Sequence, residues 1–168
     1  RALRLSRAFR SVWFAGFNGT IYRFDGTTWT QLPSFTTASF NRIRGTSATN
    51  VWAIADDGTA RQWNGTLFVQ QPKVPGPQVF DFSLYVSGSD IWVAPLGLAA
   101  AQAYTYKWNG TGWTAYATNA RIRGHFAASA TGELFLPTET GIQRWSGTAW
   151  QVENKKVVSG IQMLPSGE

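Results

Sequence analysis

The sequence predicts an all-β fold, a β-propeller built from four-stranded antiparallel blades. Three observations lead to this prediction: aromatic residues recur in four equivalent units, turn dipeptides recur at fixed places in each unit, and no long segment keeps a helical period. The 168 residues are 43% hydrophobic and 14% charged, which fits a chain that buries a core and excludes disorder of the whole chain. We expect a single domain over residues 1–168.

Twelve aromatic positions, three in each unit, carry the repeat. They hold all nine tryptophans of the chain and three phenylalanines. Unit by unit, these positions are Trp13, Phe24 and Trp29; Trp52, Trp63 and Phe68; Trp92, Trp108 and Trp113; and Phe135, Trp145 and Trp150. We predict repeats over residues 3–36, 41–74, 80–117 and 121–154, followed by a partial repeat over 157–168.

The second unit illustrates how four strands fit into one repeat. Residues 42–44, 51–55, 59–63 and 67–71 are rich in β-branched and aromatic side chains and are separated by turn signals. Asp57-Gly58 predicts a type I′ hairpin in which both residues take a positive φ, and Asn64-Gly65 predicts a further turn. Because a single blade cannot bury both of its faces, we expect the aromatic columns to pack between neighbouring blades.

The stretch over residues 51–68 supports a resemblance to a known family. It reads Val-Trp-Ala, then Gly-Thr, then Trp-Asn-Gly-Thr, and it resembles the propeller repeats of bacterial secreted and surface proteins. It is more distantly similar to the Asp-box and lectin-type propellers, although Asp25 directly precedes Gly26 where an Asp box places its Asp two residues before the Gly. The resemblance implies a propeller and an extracellular or cell-envelope location.

The register of the repeat leaves two ways of completing the ring. Residues 158–168 match the start of a unit, so the chain carries four repeats and one extra C-terminal strand, while the first strand of the first unit is expected over residues 3–8. In one completion the last strand pairs with the first unit and closes four blades. In the other, the chain is a fragment, an excised piece or an engineered piece of a larger propeller, and a second copy gives eight blades. Open blade faces favour such homo-oligomers.

The residues that carry catalysis or hold metals are scarce. The chain has one histidine, no cysteine and nine scattered carboxylates. We therefore expect no metal site, no cofactor and no enzyme activity. A sialidase-like glycosidase is the alternative, and Asp90 is the carboxylate on which to test it.

Three features are candidates for ligand binding. The Arg-Ile-Arg motifs over 42–44 and 121–123 place Arg44 and Arg123 on predicted first strands, which line the channel of a propeller and could meet an anionic ligand. The fourth-strand tryptophans Trp29, Trp113 and Trp150 could stack on sugars in a multivalent lectin. Residues 95–103 lengthen the third unit and form a candidate loop. Each feature also has a structural alternative. The arginines could stack on tryptophan between blades, the tryptophans could pack in the core, and the longer segment could be a length variation in a tolerant hairpin.

These observations together predict a non-catalytic binding or scaffold propeller. Its partner would be another copy of itself, another protein or a glycan. No apolar run is long enough to cross a membrane as a helix. Nucleic acid is not expected as a partner, because the net charge of +6 comes largely from four arginines within residues 1–10.

Overall fold

A computed structural model of the chain describes residues 11–156, which form four antiparallel sheets. Blade 1 contains β1 (Val12–Ala15), β2 (Ile21–Phe24) and β3 (Trp29–Leu32), which correspond to the second, third and fourth strands of the other blades. Blade 2 contains β4 (Phe40–Ser47), β5 (Asn50–Ala55), β6 (Ala60–Trp63) and β7 (Phe68–Gln71). Blade 3 contains β8 (Phe82–Ser87), β9 (Asp90–Pro95), β10 (Tyr104–Trp108) and β11 (Trp113–Ala117). Blade 4 contains β12 (Ala127–Ala128), β13 (Leu134–Thr138), β14 (Gly141–Trp145) and β15 (Trp150–Asn154).

Within each blade the strands lie in chain order, so every blade is a simple meander. Two short 3₁₀ turns, Phe17–Gly19 and Ala100–Gln102, are the helical elements of the described residues, and neither is long or apolar enough to cross a membrane. The predicted all-β class is confirmed. The strand predicted over residues 3–8 and the extra C-terminal strand lie outside the described residues.

The first strands of blades 2, 3 and 4 converge on a common inner edge. Arg42 of β4 in blade 2 lies 3.0 Å from His125, which precedes β12 in blade 4. The backbone N–H of Phe126 donates to the hydroxyl of Ser83 in β8, at 2.8 Å. Side chains from blades 2, 3 and 4 therefore meet at this edge, whereas the fourth strands β7, β11 and β15 are mostly exposed.

The aromatic columns form the packing between blades. In the third and fourth strands of a blade the two aromatic residues lie directly opposite each other, as Trp63 and Phe68 do in blade 2. The second-strand aromatic of one blade packs on this pair in the next blade: Trp13 lies 5.3 Å from Trp63 and 5.9 Å from Phe68, centroid to centroid. The junctions between blades 2 and 3 and between blades 3 and 4 repeat this arrangement with Trp52 and Trp92.

A side-chain-capped turn joins the third and fourth strands of every blade. In blade 2 the side-chain oxygen of Asn64 accepts hydrogen bonds from the backbone N–H groups of Thr66 and Leu67, at 2.9 and 3.0 Å. Asp25, Asn109 and Ser146 make the same pair of bonds in the other blades. Gly65, with φ of 103°, supplies the left-handed residue that the turn needs.

The type I′ hairpin predicted at Asp57-Gly58 is wrong. Only Gly58 has a positive φ, of 81°, and its N–H donates to the carbonyl of Ala55 at 3.0 Å. The Asp57 carboxylate accepts from the N–H of Thr59 at 2.8 Å, and this bond holds a three-residue loop whose left-handed position is the glycine. The residues that both take a positive φ are Asn18 and Gly19, at 53° and 69°.

The first strand predicted over residues 121–123 is also wrong. Here Ile122 forms an isolated bridge to Thr138, and the first strand of blade 4 is the two-residue β12. The carbonyl of Pro137 accepts from the N–H of Arg123 at 3.0 Å. Because proline has no N–H to return a second bond, the ladder stops at this point.

Candidate functional site

The inner edge carries a group of charged side chains that we call the inner basic cluster, consisting of Arg42, Arg44, Asp81 and His125. Arg42 and Arg44 lie two residues apart on β4 and therefore share a face of that strand. Asp81 directly precedes β8, and His125 lies two residues before β12. The cluster thus draws on blades 2, 3 and 4.

Arg42 connects the three blades of the cluster. Its Nη2 atom lies 2.8 Å from Oδ1 and 2.9 Å from Oδ2 of Asp81, and 3.0 Å from Nε2 of His125. A guanidinium group only donates hydrogen bonds, so Nε2 of His125 must accept. The imidazole proton is therefore on Nδ1 in this arrangement.

The surroundings of His125 favour its neutral form. Burial lowers the pKa of His125 below 6.5, the charge of Arg42 lowers it further, and Asp81 opposes them. The charge of Arg44, two residues from Arg42 on β4, also lowers this pKa. At neutral pH the positive charge of the cluster therefore resides on the two arginines, with Asp81 as the carboxylate that pairs with Arg42.

Arg44 differs from Arg42 in having no acidic partner within residues 11–156. Its exposed side chain donates to the backbone carbonyl of Leu84 at 3.3 Å. Arg123 is also exposed, but its Nη2 atom lies 3.9 Å from the carboxylate of Glu139, which in turn accepts from the N–H of Arg121 at 3.0 Å. Of the two predicted arginines, Arg44 thus joins the cluster and Arg123 has a carboxylate neighbour of its own.

Sequence reasoning missed Asp81 and His125 as members of this site. The only histidine has no partner nearby in sequence, and Asp81 belongs to no motif. One signal was available: Arg42, Asp81 and His125 lie ten, eleven and ten residues before the second-strand aromatic of their units. Counting back from the aromatic column would have placed all three near the start of a first strand.

The fourth-strand tryptophans divide by exposure. Trp150 is 8% exposed, and its Nε1 donates to Oγ1 of the buried Thr105 at 2.7 Å. Trp113 is half-buried and donates to the carbonyl of Pro72 at 2.8 Å. Trp29 is 56% exposed. Trp113 and Trp150 serve in inter-blade packing, and Trp29 is the member of this column with an open ring.

The long hairpin of the third unit, residues 95–103, is held at its end. The carbonyl of the buried Ala103 accepts from the N–H and the hydroxyl of Thr118, at 3.0 and 2.9 Å.

Asp90, the carboxylate singled out for glycosidase chemistry, lies 2.8 Å from Nζ of Lys107. Within the part of the chain that the structure describes, no three His, Asp or Glu side chains come together as metal ligands.

Comparisons with known proteins identify the fold. No protein-family model matches the chain, and no curated protein matches its sequence significantly. Among solved structures, YCF48 bound to D1 peptide aligns with 95% of this chain and 55% of its own, at a TM-score of 0.60 and 17% identity. The extracellular domain of the putative one-component system BT4673 from B. thetaiotaomicron aligns with 89% of this chain and 23% of its own, at a TM-score of 0.58 and 15% identity.

These likenesses establish the architecture. The chain has a β-propeller fold, as its structural neighbours do. A further BT4673 structure, described as the extracellular domain of a putative hybrid two-component system, aligns with 89% of this chain and 22% of its own, at a TM-score of 0.55 and 16% identity. The chain thus spans about half the length of the YCF48 chain and less than a quarter of the BT4673 chains.

Proposed function

We propose that this chain is a non-catalytic binding propeller whose inner basic cluster recognises an acidic segment of a partner protein. The observation that carries the proposal is that Arg44, two residues from Arg42 on β4, has no carboxylate partner among residues 11–156. Within residues 11–156, Asp81 is the single carboxylate paired with these two arginines. A carboxylate of a partner would form a charge-assisted hydrogen bond with Arg44 in place of the long bond to the carbonyl of Leu84.

An exposed aromatic ring beside the cluster supports a peptide as the ligand. Phe80 directly precedes Asp81, and its side chain is fully exposed. Its backbone is nevertheless held, because its carbonyl accepts a hydrogen bond from Nδ2 of Asn41 at 3.1 Å. Aromatic residues and arginine are enriched in protein interfaces, and an exposed ring on a held backbone next to charged groups offers a partner both apolar and charged contacts. The neighbour YCF48 is bound to a peptide, which is consistent with this class of partner.

Fluorescence anisotropy with a labelled glutamate-rich peptide that contains one phenylalanine tests the proposal. We expect Arg44→Gln to weaken binding about tenfold, since a hydrogen bond to a charged group is worth about 1.5 kcal/mol. A peptide with lysine in place of every glutamate is expected not to bind.

The matched control is Arg144→Gln, which removes the same charge from β14. Arg144 lies 3.3 Å from Glu133 and 3.1 Å from Glu153, so its charge is already paired. We expect this variant to bind the peptide as the unmodified chain does. Equal weakening by both variants would show that only net charge matters, and no binding at low salt would also refute the proposal.

A lectin is the second candidate, and the open ring of Trp29 favours it. An indole face of this kind stacks on the C–H surface of a sugar. A glycan array should then give hits that are lost in Trp29→Ala. A multivalent lectin would in addition lose binding in Trp113→Ala without unfolding. If the Trp113→Ala variant unfolds instead, Trp113 belongs to the core and the proposal of several sugar sites is refuted.

The remaining expectations are part of the same proposal. The extracellular or envelope location is consistent with the neighbours described as extracellular domains, as is a kinship with bacterial propeller repeats. Turnover of a chromogenic glycoside that Asp90→Asn abolishes would overturn the non-catalytic assignment. Completion of the ring by a second copy would use the two terminal blades, including Trp29, and would leave the inner basic cluster free.

A further inference from the structure

The three junctions between consecutive blades share one contact. In each, the second-strand aromatic of one blade packs on the third- and fourth-strand aromatic residues of the next. Trp52 lies 5.3 Å from Trp108 and 5.8 Å from Trp113. Trp92 lies 4.8 Å from Trp145 and 5.8 Å from Trp150. With the Trp13 contact described above, this is the interface by which the chain joins blade to blade.

Within residues 11–156, both halves of this contact recur without a partner on blades 1 and 4. Blade 1 presents its own aromatic pair, Phe24 and Trp29, stacked at 4.9 Å, and the other described ring close to this pair is Phe14 of the same sheet. Blade 4 presents the second-strand aromatic Phe135, for which the described residues provide no ring partner at stacking distance. Trp29 is 56% exposed, whereas Phe68 at the same position of blade 2 is 1% exposed. The difference arises because no second-strand aromatic residue among residues 11–156 packs on Trp29 from a neighbouring blade.

Blades 2 and 4 make a second contact on this face that blade 1 does not make within residues 11–156. Two residues before the third-strand aromatic, blades 2 and 4 have Arg61 and Gln143, which bond to the linker that precedes their blade. Arg61 donates to the carbonyl of Phe35 at 2.8 Å, and Gln143 donates to the carbonyl of Thr118 at 2.9 Å. The equivalent Tyr22 in blade 1 is exposed, and its hydroxyl donates within its own sheet, to Gln31 at 3.1 Å.

We propose that this face of blade 1 binds blade 4 of a second copy of the chain, with Phe135 of one copy packed on Phe24 and Trp29 of the other. Two such junctions, related by a two-fold axis, close a ring of eight blades, which lies within the range of known propellers. The second copy is the occupant that the geometry favours, because blade 4 carries the half of the contact that blade 1 lacks. Closure within one chain would bury Trp29, contrary to its exposure. This proposal does not rest on the binding function proposed above.

Sedimentation equilibrium of the 168-residue chain over a wide concentration range tests the assembly. We expect a mass that rises from 18.5 kDa to twice that value and no further. Trp29→Glu and Phe135→Glu should each weaken the dimer at least tenfold, because each introduces a charge into an apolar contact. Phe80→Glu, which changes an exposed ring on the inner edge, should leave the dimer unchanged.

Mixing the two variants distinguishes head-to-tail docking from other modes. The Trp29→Glu chain keeps an intact blade 4 and the Phe135→Glu chain keeps an intact blade 1, so the mixture regains one unmodified junction. We expect the mixture to associate more strongly than either variant alone. If Trp29 instead met Trp29 of the partner, Phe135→Glu would have no effect and the proposal would be wrong. A monomer at every concentration, or a trimer, would equally overturn it, and the monomer would leave blades from additional sequence as the occupant.

Discussion

The contact between blades 1 and 2 predicts a large loss of stability for Phe68→Ala. Phe68 is 1% exposed and lies 5.9 Å from Trp13 and 5.3 Å from Trp63. Removing the ring would leave a cavity between two sheets that are held apart by the remaining tryptophans. The expected effect therefore includes both the lost burial and the cavity.

The magnitude follows from the buried area of the ring. An aromatic side chain buries about 150–250 Å², so at about 25 cal/mol per Å² the burial of phenylalanine, the smallest of these side chains, is worth about 4 kcal/mol. Measured Phe→Ala substitutions in cores cost about 3–5 kcal/mol, which agrees. With a urea m-value of about 2 kcal/mol per M, the midpoint of unfolding should fall by about 2 M.

Urea unfolding followed by far-UV circular dichroism measures this shift, and Phe80→Ala is the matched control. Phe80 has the same chemistry but is fully exposed, so the free energy of unfolding should change by no more than about 0.5 kcal/mol. If Phe68→Ala fails to fold, Phe68→Leu keeps most of the volume and should cost less than about 1.5 kcal/mol. Equal losses at residues 68 and 80 would refute the assignment of the aromatic columns to inter-blade packing.

Three further predictions concern a glycine, the histidine and a buried hydrogen bond. Gly19→Ala should cost well over 1 kcal/mol by thermal unfolding, because a Cβ there would collide with the carbonyl of Thr36, whereas Gly147→Ala, with open space around it, should cost about 1 kcal/mol from its positive φ alone. The single imidazole should titrate below pH 6.5 by NMR, and Arg42→Gln should raise its pKa. Because the pKa of His125 is lower in the folded chain, the unfolded chain binds more protons than the folded chain at acidic pH. The free energy of unfolding should therefore fall as the pH drops below 6.5, and it should fall less in His125→Gln. A double-mutant cycle of Thr105→Val and Trp150→Phe should give a coupling energy of about 1 kcal/mol, and an additive result would remove the proposed bond.

The blade architecture could be predicted from the sequence because the same packing requirement recurs in each unit. Every junction must hide a large apolar ring, so Trp52 and Trp92 recur at the same place in their units, and the strands around them follow. The asparagine turns could also be predicted from the sequence, since Asn64 and Asn109 cap the backbone through local hydrogen bonds that span two or three residues. Local chemistry and a repeated packing constraint are the features that a single sequence expresses.

The features that sequence reasoning missed depend on contacts across the fold. The bond between Arg42 and His125 joins residues that are 83 positions apart and in non-adjacent blades. The short first strand of blade 4 follows from Pro137 on the neighbouring strand, whose missing N–H acts on residue 123 and not on its own segment. The turn at Asp57 was misjudged because the carboxylate bond to Thr59 competes with the type I′ conformation. In each case the deciding partner is one that the local motif did not include.

The repeat itself indicates where binding specificity is free to vary. The residues directly opposite the second-strand aromatic on the first strand are Arg44, Tyr85 and Ala127 in blades 2, 3 and 4. They differ in charge and size, although the aromatic residues that they face are nearly constant. Tyr85 packs against the aromatic cluster between blades 3 and 4 and Ala127 is buried, whereas Arg44 is exposed and donates to the carbonyl of Leu84. Of these three positions, the one in blade 2 is therefore the position that is open to a ligand, and this is the reason to seek the ligand at Arg44.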